Sequence, residues 1–456
     1  MRILARTVVS AAAAIAAAGL SACHSAPPLP AAPPVPLSDS ATAAVRWVET
    51  HAATFAIADS VASADERAKV ATIVGDARVV GFSELTEGTA QFTNVIRRTL
   101  FGLAGTSNVR GLAIQTSMPE AMEVDRYVRT GVGDQRRLLH ALGDWRWESR
   151  EMQALVSALR AYNAAKTADQ QIGFYGFEIP TAAHAVNVIT SLGDSVTGPK
   201  LGQWLRTQYN CVAADEGAHW GLEGRAADST YWNGCRPLVG EGLDTIIALR
   251  KRLGPSSPNA ANLAFAEQMA RLVQHHVAVG LKRLPRHEFN AEHVLFLADL
   301  LGPNAKLMLW GGDAEMGRLT LAPSTIQTAV ALGQKLGDKY RAVGFAVGDG
   351  EVHVRRPGNG RTGSNQPSGL TDVKLRLPAH ETFEDVFRRV TPDAYWLDMR
   401  ALPSDNAGGW LKGPRQARFV IDVYAPEVPE LFMTPLEFPK FFDAVVFVKH
   451  VTPAHQ

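Results

Sequence analysis

Short apolar runs that end in polar or glycine-rich turns recur along this chain. Residues 78–82, Arg-Val-Val-Gly-Phe, are the first. Residues 109–114 end at Gln115, and residues 171–177 end at Glu178. Residues 306–310 lead into Gly311-Gly312-Asp313-Ala314-Glu315, and residues 340–347 into Gly348-Asp349-Gly350. Residues 394–398 and 442–448 follow near the C-terminus. Continuous apolar runs of this length read as strands buried on both faces. Helical periodicity lies between the early runs. A helix opens at Gly88 and runs to about Leu103. Residues 150–164 place Met152, Leu155, Val156 and Leu159 on one stripe. Strands alternating with helices predict an α/β fold, with a mostly parallel or mixed sheet and helices on both faces. From 182 to 298 the character changes and helical spacing dominates, as in 243–253 and 261–279. That stretch reads as a large helical insertion or lid. Residues 358–369, rich in Gly, Asn and Ser, read as a loop.

The first forty residues follow a different pattern. Arg2 and Arg6 precede an apolar run from 8 to 20 that is too short to span a bilayer comfortably. It ends in Leu20-Ser21-Ala22-Cys23, which resembles a bacterial lipobox whose cysteine is acylated. The bland alternative is an ordinary signal peptide cleaved near Ala22. The expected organisation is a lipoprotein signal peptide at 1–22, a Pro/Ala-rich tether at 23–40, and one folded domain at 41–456. His24, where sorting signals for inner-membrane retention carry aspartate, favours an outer-membrane anchor facing the periplasm. With Cys23 set aside, Cys211 and Cys235 remain. In an exported chain they predict one disulfide worth ~3 kcal/mol, beside Trp220, Tyr231 and Trp232. Two unpaired buried thiols are the alternative.

A net charge of +1 implies no broad basic face for nucleic acid. The sequence has no Gly-x-Ser-x-Gly elbow, no Cys-x-x-Cys and no His-Glu-x-x-His zinc motif. No phosphate-binding Gly-rich loop follows a predicted strand, and no cofactor is expected. The strand ends carry the chemistry instead: Glu84 with Glu87, Gln115, Glu178, and Asp313 with Glu315. Parallel strands point their carboxyl ends at one edge of the sheet, where ligands bind in open α/β folds.

The segment Ser83-Glu84-Leu85-Thr86-Glu87-Gly88-Thr89 resembles the Gly-Glu-x-x-His-Gly-Thr signature of the erythromycin esterase family. Further resemblances follow in order. Residues 111–115 match a strand that ends in a second glutamate, here Gln115. Trp147-Glu148-Ser149-Arg150-Glu151 matches a Trp-x-x-Arg-Glu segment, and residues 172–178 a Gly-Phe-Tyr-Gly strand. Arg286-His287-Glu288-Phe289-Asn290-Ala291-Glu292 matches an Arg-Asp-x-x-Met-Ala-Glu helix. Residues 309–315 fall on Trp-Ala-His-Asn-Ala-His. The similarity spans roughly 49 to 454. It implies hydrolysis of a lactone or ester by water, activated by a histidine with supporting glutamates and no obligatory metal. By resemblance the site comprises Glu84, Glu87, Gln115, Arg286, Glu292, Gly312 and Glu315. Glu87, Gly312 and Glu315 stand where the family has histidines.

Those replacements change the chemistry. A solvated carboxylate titrates near ~4 and is a poor base at neutral pH. If Glu84, Glu87 and Glu315 crowd into one pocket, mutual repulsion raises one of them into a useful range. An oxygen-rich cluster also suits a hard cation or an amine-bearing ligand. The bland reading pairs the acids with Arg286 or Arg150. Replacement histidines are His287 and His293, six residues apart and so on different helix faces, with at most one pointing inward. His275 and His276 also diverge. The expected function is a hydrolase-family lipoprotein acting on a small-molecule ester or lactone. The alternatives are an inactive ligand- or cation-binding envelope protein using the same cleft, or a purely structural role for the acids.

Overall fold

The computed structural model describes residues 35–58, 61–178, 182–213, 229–281, 286–312, 315–320, 327–358 and 369–456. The expected signal segment with Cys23, most of the expected tether, Trp220, Asp313 with Ala314, and residues 359–368 lie outside the described residues. The compact unit spans Leu37–Gln456. Its first helix, Asp39–His51, begins slightly ahead of the expected domain start at 41 and is capped by the Ser38 hydroxyl.

Eleven strands occur among the described residues: β1 (Ala53–Thr54), β2 (Val79–Glu84), β3 (Val109–Ser117), β4 (Gly173–Glu178), β5 (Lys306–Gly311), β6 (Tyr340–Arg355), β7 (Leu370–Lys374), β8 (Ala394–Asp398), β9 (Arg415–Arg418), β10 (Met433–Leu436) and β11 (Ala444–Val451). Nine form one sheet in the order β1-β8-β11-β6-β2-β5-β3-β4, with β7 paired to the far half of β6. The six strands from β11 to β4 run parallel, while β1, β8 and β7 join antiparallel. β9 and β10 make a separate two-stranded sheet.

Strand alternation divides the apolar side chains between two cores. Val79, Leu307, Leu309 and Ala342 pack with Ala291, Val294 and Leu297 of helix Arg286–Leu300 and with Ala329 and Leu332 of helix Thr328–Leu336. Val80, Phe82, Met308, Val343 and Phe345 pack with Phe92, Val95 and Ile96 of helix Ala90–Thr106 and with Leu155, Val156 and Leu159 of helix Arg150–Ala164. Each of the larger side chains among these (Val, Leu, Ile, Met and Phe) contributes about 1.5–3 kcal/mol on burial. The α/β expectation therefore holds, with helices on both faces.

The predicted insertion is a run of five helices: Ala183–Thr197, Pro199–Ala213, Ser229–Leu253, Ala260–Gly280 and Arg286–Leu300. Cys211 and Cys235 are disulfide-bonded across two of them. No helix among the described residues is long and apolar enough to cross a membrane. The short strands β1, β7, β9 and β10 lie outside the predicted runs, and one predicted strand is longer than expected. β6 does not stop at Gly348-Asp349-Gly350 but continues to Arg355, because residues 351–355 find an antiparallel partner in β7. The Leu-Thr-Asp-Val-Lys sequence of β7 is mostly exposed and carries little of the apolar signal that marks the inner strands.

Replacing Cys211 and Cys235 together by alanine frees a loop spanning 24 positions. The expected loss is about 3 kcal/mol, measured as the shift in urea midpoint under non-reducing conditions.

Candidate active site

Parallel pairing fixes the register at the carboxyl edge. Phe82 lies beside Trp310, Ser83 beside Gly311, and Glu84 beside Phe345. Ser117 lies beside Glu178. The polar residues that follow these pairs are therefore delivered to one rim.

At the end of β2 the chain turns through Gly88, whose φ of +80° suits glycine. A Cβ there would lie 2.3 Å from the His353 carbonyl oxygen. The turn buries Glu84 and Glu87 almost completely. Glu84 Oε1 accepts a hydrogen bond from Trp310 Nε1 at 2.5 Å. Glu87 Oε1 accepts from the Arg146 guanidinium at 2.7 Å, and its Oε2 from the Asp422 backbone N–H at 3.2 Å. Arg146 sits in the short turn Trp145–Glu148. Asp144 caps that turn and holds the same guanidinium at 2.6 to 3.2 Å. Trp147 lies under Arg146 and meets Trp310 edge-on at 5.0 Å.

Gly312 explains the reach of Glu87. A Cβ at 312 would fall 1.7 Å from Glu87 Oε1 and 2.7 Å from Arg146. The Glu87–Arg146 bridge thus fills the space that a side chain at 312 would need. Gly312 N donates to Gln115 Oε1 at 3.0 Å, and Gln115 Nε2 lies 3.4 Å from Glu178 Oε1. A cavity of about 420 Å³ opens onto Glu87, Gln115, Asp144, Trp145, Arg146 and Asp422.

Gln115 links this group to a second one. Glu178 Oε1 accepts from Arg286 at 2.7 Å and lies 3.4 Å from Asn290 Nδ2. Glu315 Oε1 accepts from the Thr328 backbone N–H at 3.1 Å and from the Thr328 hydroxyl. His287 Nδ1 is 3.8 Å from the same oxygen. The acids therefore do not crowd into one pocket as expected. Glu84 and Glu87 form one group, while Glu315 belongs with Glu178. Glu292, placed in the site by resemblance, is half-exposed and faces His275 at 3.6 Å, outside both groups.

Burial pushes the Glu84 carboxyl up to about 8, and the neighbouring Glu87 adds to the rise against the pull of Arg146 and the Trp310 hydrogen bond. Burial also raises Glu87, opposed by Arg146, and raises Glu178, opposed by Arg286. Burial alone would lower Arg146, but Glu87 and Asp144 hold it above its ordinary value. Glu84 is thus a neutral acid behind an ionised pair.

The histidines also differ from expectation. His293 is wholly buried, with Nδ1 3.0 Å from the Phe177 carbonyl and Nε2 3.1 Å from His275 Nδ1. Desolvation lowers His293 to about 4 and His275 to about 3, so both rings are neutral. His287, only 19% exposed, also turns inward. Both histidines of this helix therefore point in, from different faces. His275 and His276 diverge as expected, the second meeting Trp232 edge-on.

The cation beside Glu87 is Arg146, rather than Arg150 or Arg286. Sequence reasoning passed over Arg146, Asp144 and Asp422. The available signal was Asp144-Trp145-Arg146-Trp147, an arginine and an acid abutting a motif already matched. Among the described residues no group of three His, Cys, Asp or Glu side chains is arranged to hold a metal ion.

Two measurements check this geometry. Gly312→Ala lowers stability by about 1–3 kcal/mol through overpacking, and the same substitution costs less in a Glu87→Ala background, read as Tm in a double-mutant cycle. The second concerns pH. The folded Glu84 holds its proton above the ordinary carboxylate value of 4.5, so the folded state binds more protons than the unfolded between 4.5 and about 8. Stability from this group therefore falls as pH rises through that window. Glu84→Gln removes that fall, and the variant gains on the wild type at alkaline pH in denaturant melts.

Comparison with known proteins agrees with this architecture. A Bacillus cereus protein is 19% identical, with a TM-score of 0.76 over 92% of this chain and 100% of its own. A succinoglycan biosynthesis protein is 15% identical, with a TM-score of 0.74 over 91% and 98%. A histidine-to-asparagine mutant of the erythromycin esterase EreC, in its open conformation, is 13% identical, with a TM-score of 0.57 over 89% and 98%. At these identities the likeness is one of fold. The erythromycin esterase family model matches residues 107–451, most of the chain. A parallel sheet that gathers buried acids at its carboxyl rim, under that family match, makes this chain a member of the erythromycin esterase family.

Proposed function

We propose that this protein is a hydrolase of carboxylic esters or lactones that works at the carboxyl rim of the sheet with altered catalytic groups. The observation that carries the reading is the buried Glu84–Glu87–Arg146 group opening on a cavity of about 420 Å³. Arg146 supplies positive charge for a developing oxyanion in a poorly solvated site. Glu87 fixes that guanidinium, and Glu84 keeps a proton close by at neutral pH. Gln115, tied to Gly312 and Glu178, is the neutral hydrogen-bonding group of the rim.

One observation favours a second reading. Both Glu87 oxygens are already bonded, to Arg146 and to the Asp422 N–H. A carboxylate so occupied suits a protein that binds an ester-like ligand without turning it over.

The proposal extends to location. The order Arg2, Arg6, apolar run, Leu20-Ser21-Ala22-Cys23 supports export and acylation at Cys23. The Cys211–Cys235 disulfide is of the kind that persists in oxidising compartments. Acylation at Cys23 would anchor the protein to the outer membrane on its periplasmic side.

A panel of simple esters and a macrolide separates the two functional readings. Turnover that falls by about 10²-fold or more in Glu87→Gln supports the hydrolase. Ligands that raise Tm while no product forms support binding alone. Lipid labelling of the expressed chain, lost in Cys23→Ala, tests the anchor.

A further inference from the structure

The two groups at the rim differ in what they leave unbonded. On the β2 side the Glu87 oxygens and the Arg146 guanidinium are held by one another, by Asp144 and by the Asp422 N–H. On the β4 and β5 side two buried polar atoms have no hydrogen-bond partner, His287 Nδ1 and Asn290 Oδ1. Asn290 is wholly buried and lies one helical turn beyond His287. Buried polar atoms without partners are uncommon, and two of them three residues apart on one helix call for a functional account. His287 Nδ1 faces Glu315 Oε1 at 3.8 Å. That is too long for a hydrogen bond, but catalytic pairs are often long until a ligand tightens them. Glu315 is itself fixed by two bonds from Thr328, so the carboxylate is positioned before any ligand arrives.

We infer that His287 and Glu315 are the proton-transfer pair of this site. The water-activating base has moved from the turn after β2, where residue 87 is a glutamate, to the helix that closes the insertion. This rests on the hydrolase reading above. The family pattern quoted for this chain puts an acid at 287 and a histidine at 315; here the two residue types are exchanged across the same short gap. With its proton on Nδ1 toward Glu315, the imidazole presents Nε2 as the base.

Water loses a proton to His287 Nε2 as its oxygen bonds the acyl carbon, and the carbonyl π pair moves onto the carbonyl oxygen. The pair then returns, the acyl–oxygen bond to the leaving alcohol breaks, and the Nε2 proton passes to the departing oxygen. An ester gives an acid and an alcohol, and a lactone gives one hydroxy acid. Glu315 steadies the transient imidazolium. Other charged groups on the elements packed here include Glu178 on β4, bonded to Arg286 on the same helix as His287, and Glu288 and Glu292 further along that helix.

The test uses the full chain, with circular dichroism and Tm confirming that each variant folds. On any ester the wild type cleaves, His287→Asn is expected to lose about 10²–10⁴ in kcat/KM. Glu315→Gln is expected to lose less and to displace the acidic limb of the kcat/KM profile to lower pH. Imidazole ¹⁵N spectra are expected to show His287 protonated on Nδ1, with that signal altered in Glu315→Gln. Full activity in His287→Asn, beside loss in Glu87→Gln, overturns the pair and leaves the hydrolase reading standing. If the wild type cleaves nothing in the panel, the hydrolase reading falls, and the spectrum judges the pair by itself. A proton on Nε2 that is indifferent to Glu315→Gln overturns it, and a proton on Nδ1 that responds to the substitution supports it.

Discussion

The Glu87–Arg146 ion pair is the contact on which the architecture of the site turns. It is nearly buried, so each charge gives up its hydration, and the pair is tolerable only because further bonds complete it. Asp144 holds the other edge of the guanidinium, and the Asp422 N–H holds the second carboxylate oxygen. Removing one member of such a pair commonly costs about 3–5 kcal/mol. The pair exists where it does because residue 312 has no side chain. It also bears on its neighbour. Burial chiefly keeps the Glu84 carboxyl protonated to about 8, and the negative charge of Glu87 adds to that rise while Arg146 opposes it.

Much of this was legible in the sequence, for identifiable reasons. The inner strands are buried on both faces and so read as unbroken apolar runs, and their polar C-terminal residues stand out. The helix Arg150–Ala164 was legible from its stripe of Met152, Leu155, Val156 and Leu159. β7 was not, because an edge strand facing water needs no apolar alternation. Within the site, convergence followed from parallel topology, but partners did not. Arg146 lies 59 positions from Glu87 in the chain, and Asp422 lies 335 away. Nothing local to Glu87 signals either. The expected pairing with Arg150 missed by one turn of structure, because residues 145–148 form a tight 3₁₀ turn that brings Arg146 to the rim first. The inward turn of both His287 and His293 was missed for a different reason. A helix wedged between a sheet and other helices buries more than one of its faces, so divergent side chains can both be inside.

The distribution of imidazoles follows the same logic of desolvation. His293 donates from Nδ1 to the Phe177 carbonyl, which leaves Nε2 to accept from His275. Phe289 stacks on His275 at 3.9 Å. Both rings are satisfied as neutral groups, and they knit the insertion to the end of β4. His287 is built differently, with a carboxylate opposite and a bond unmade. A histidine with both nitrogens bonded and one with a nitrogen left unbonded thus sit six residues apart on one helix.

The strand order has a consequence for how this molecule is made. β2 lies between β5 and β6, yet Glu84 and Lys306 are separated by about 220 residues. At ~5–20 residues per second on the ribosome, β2 waits tens of seconds before either neighbour exists. During that interval Val79, Val80 and Phe82 have no sheet to enter. The middle of the sheet is therefore synthesised early and paired late, and these apolar residues stay uncovered while the helical middle of the chain is still being made.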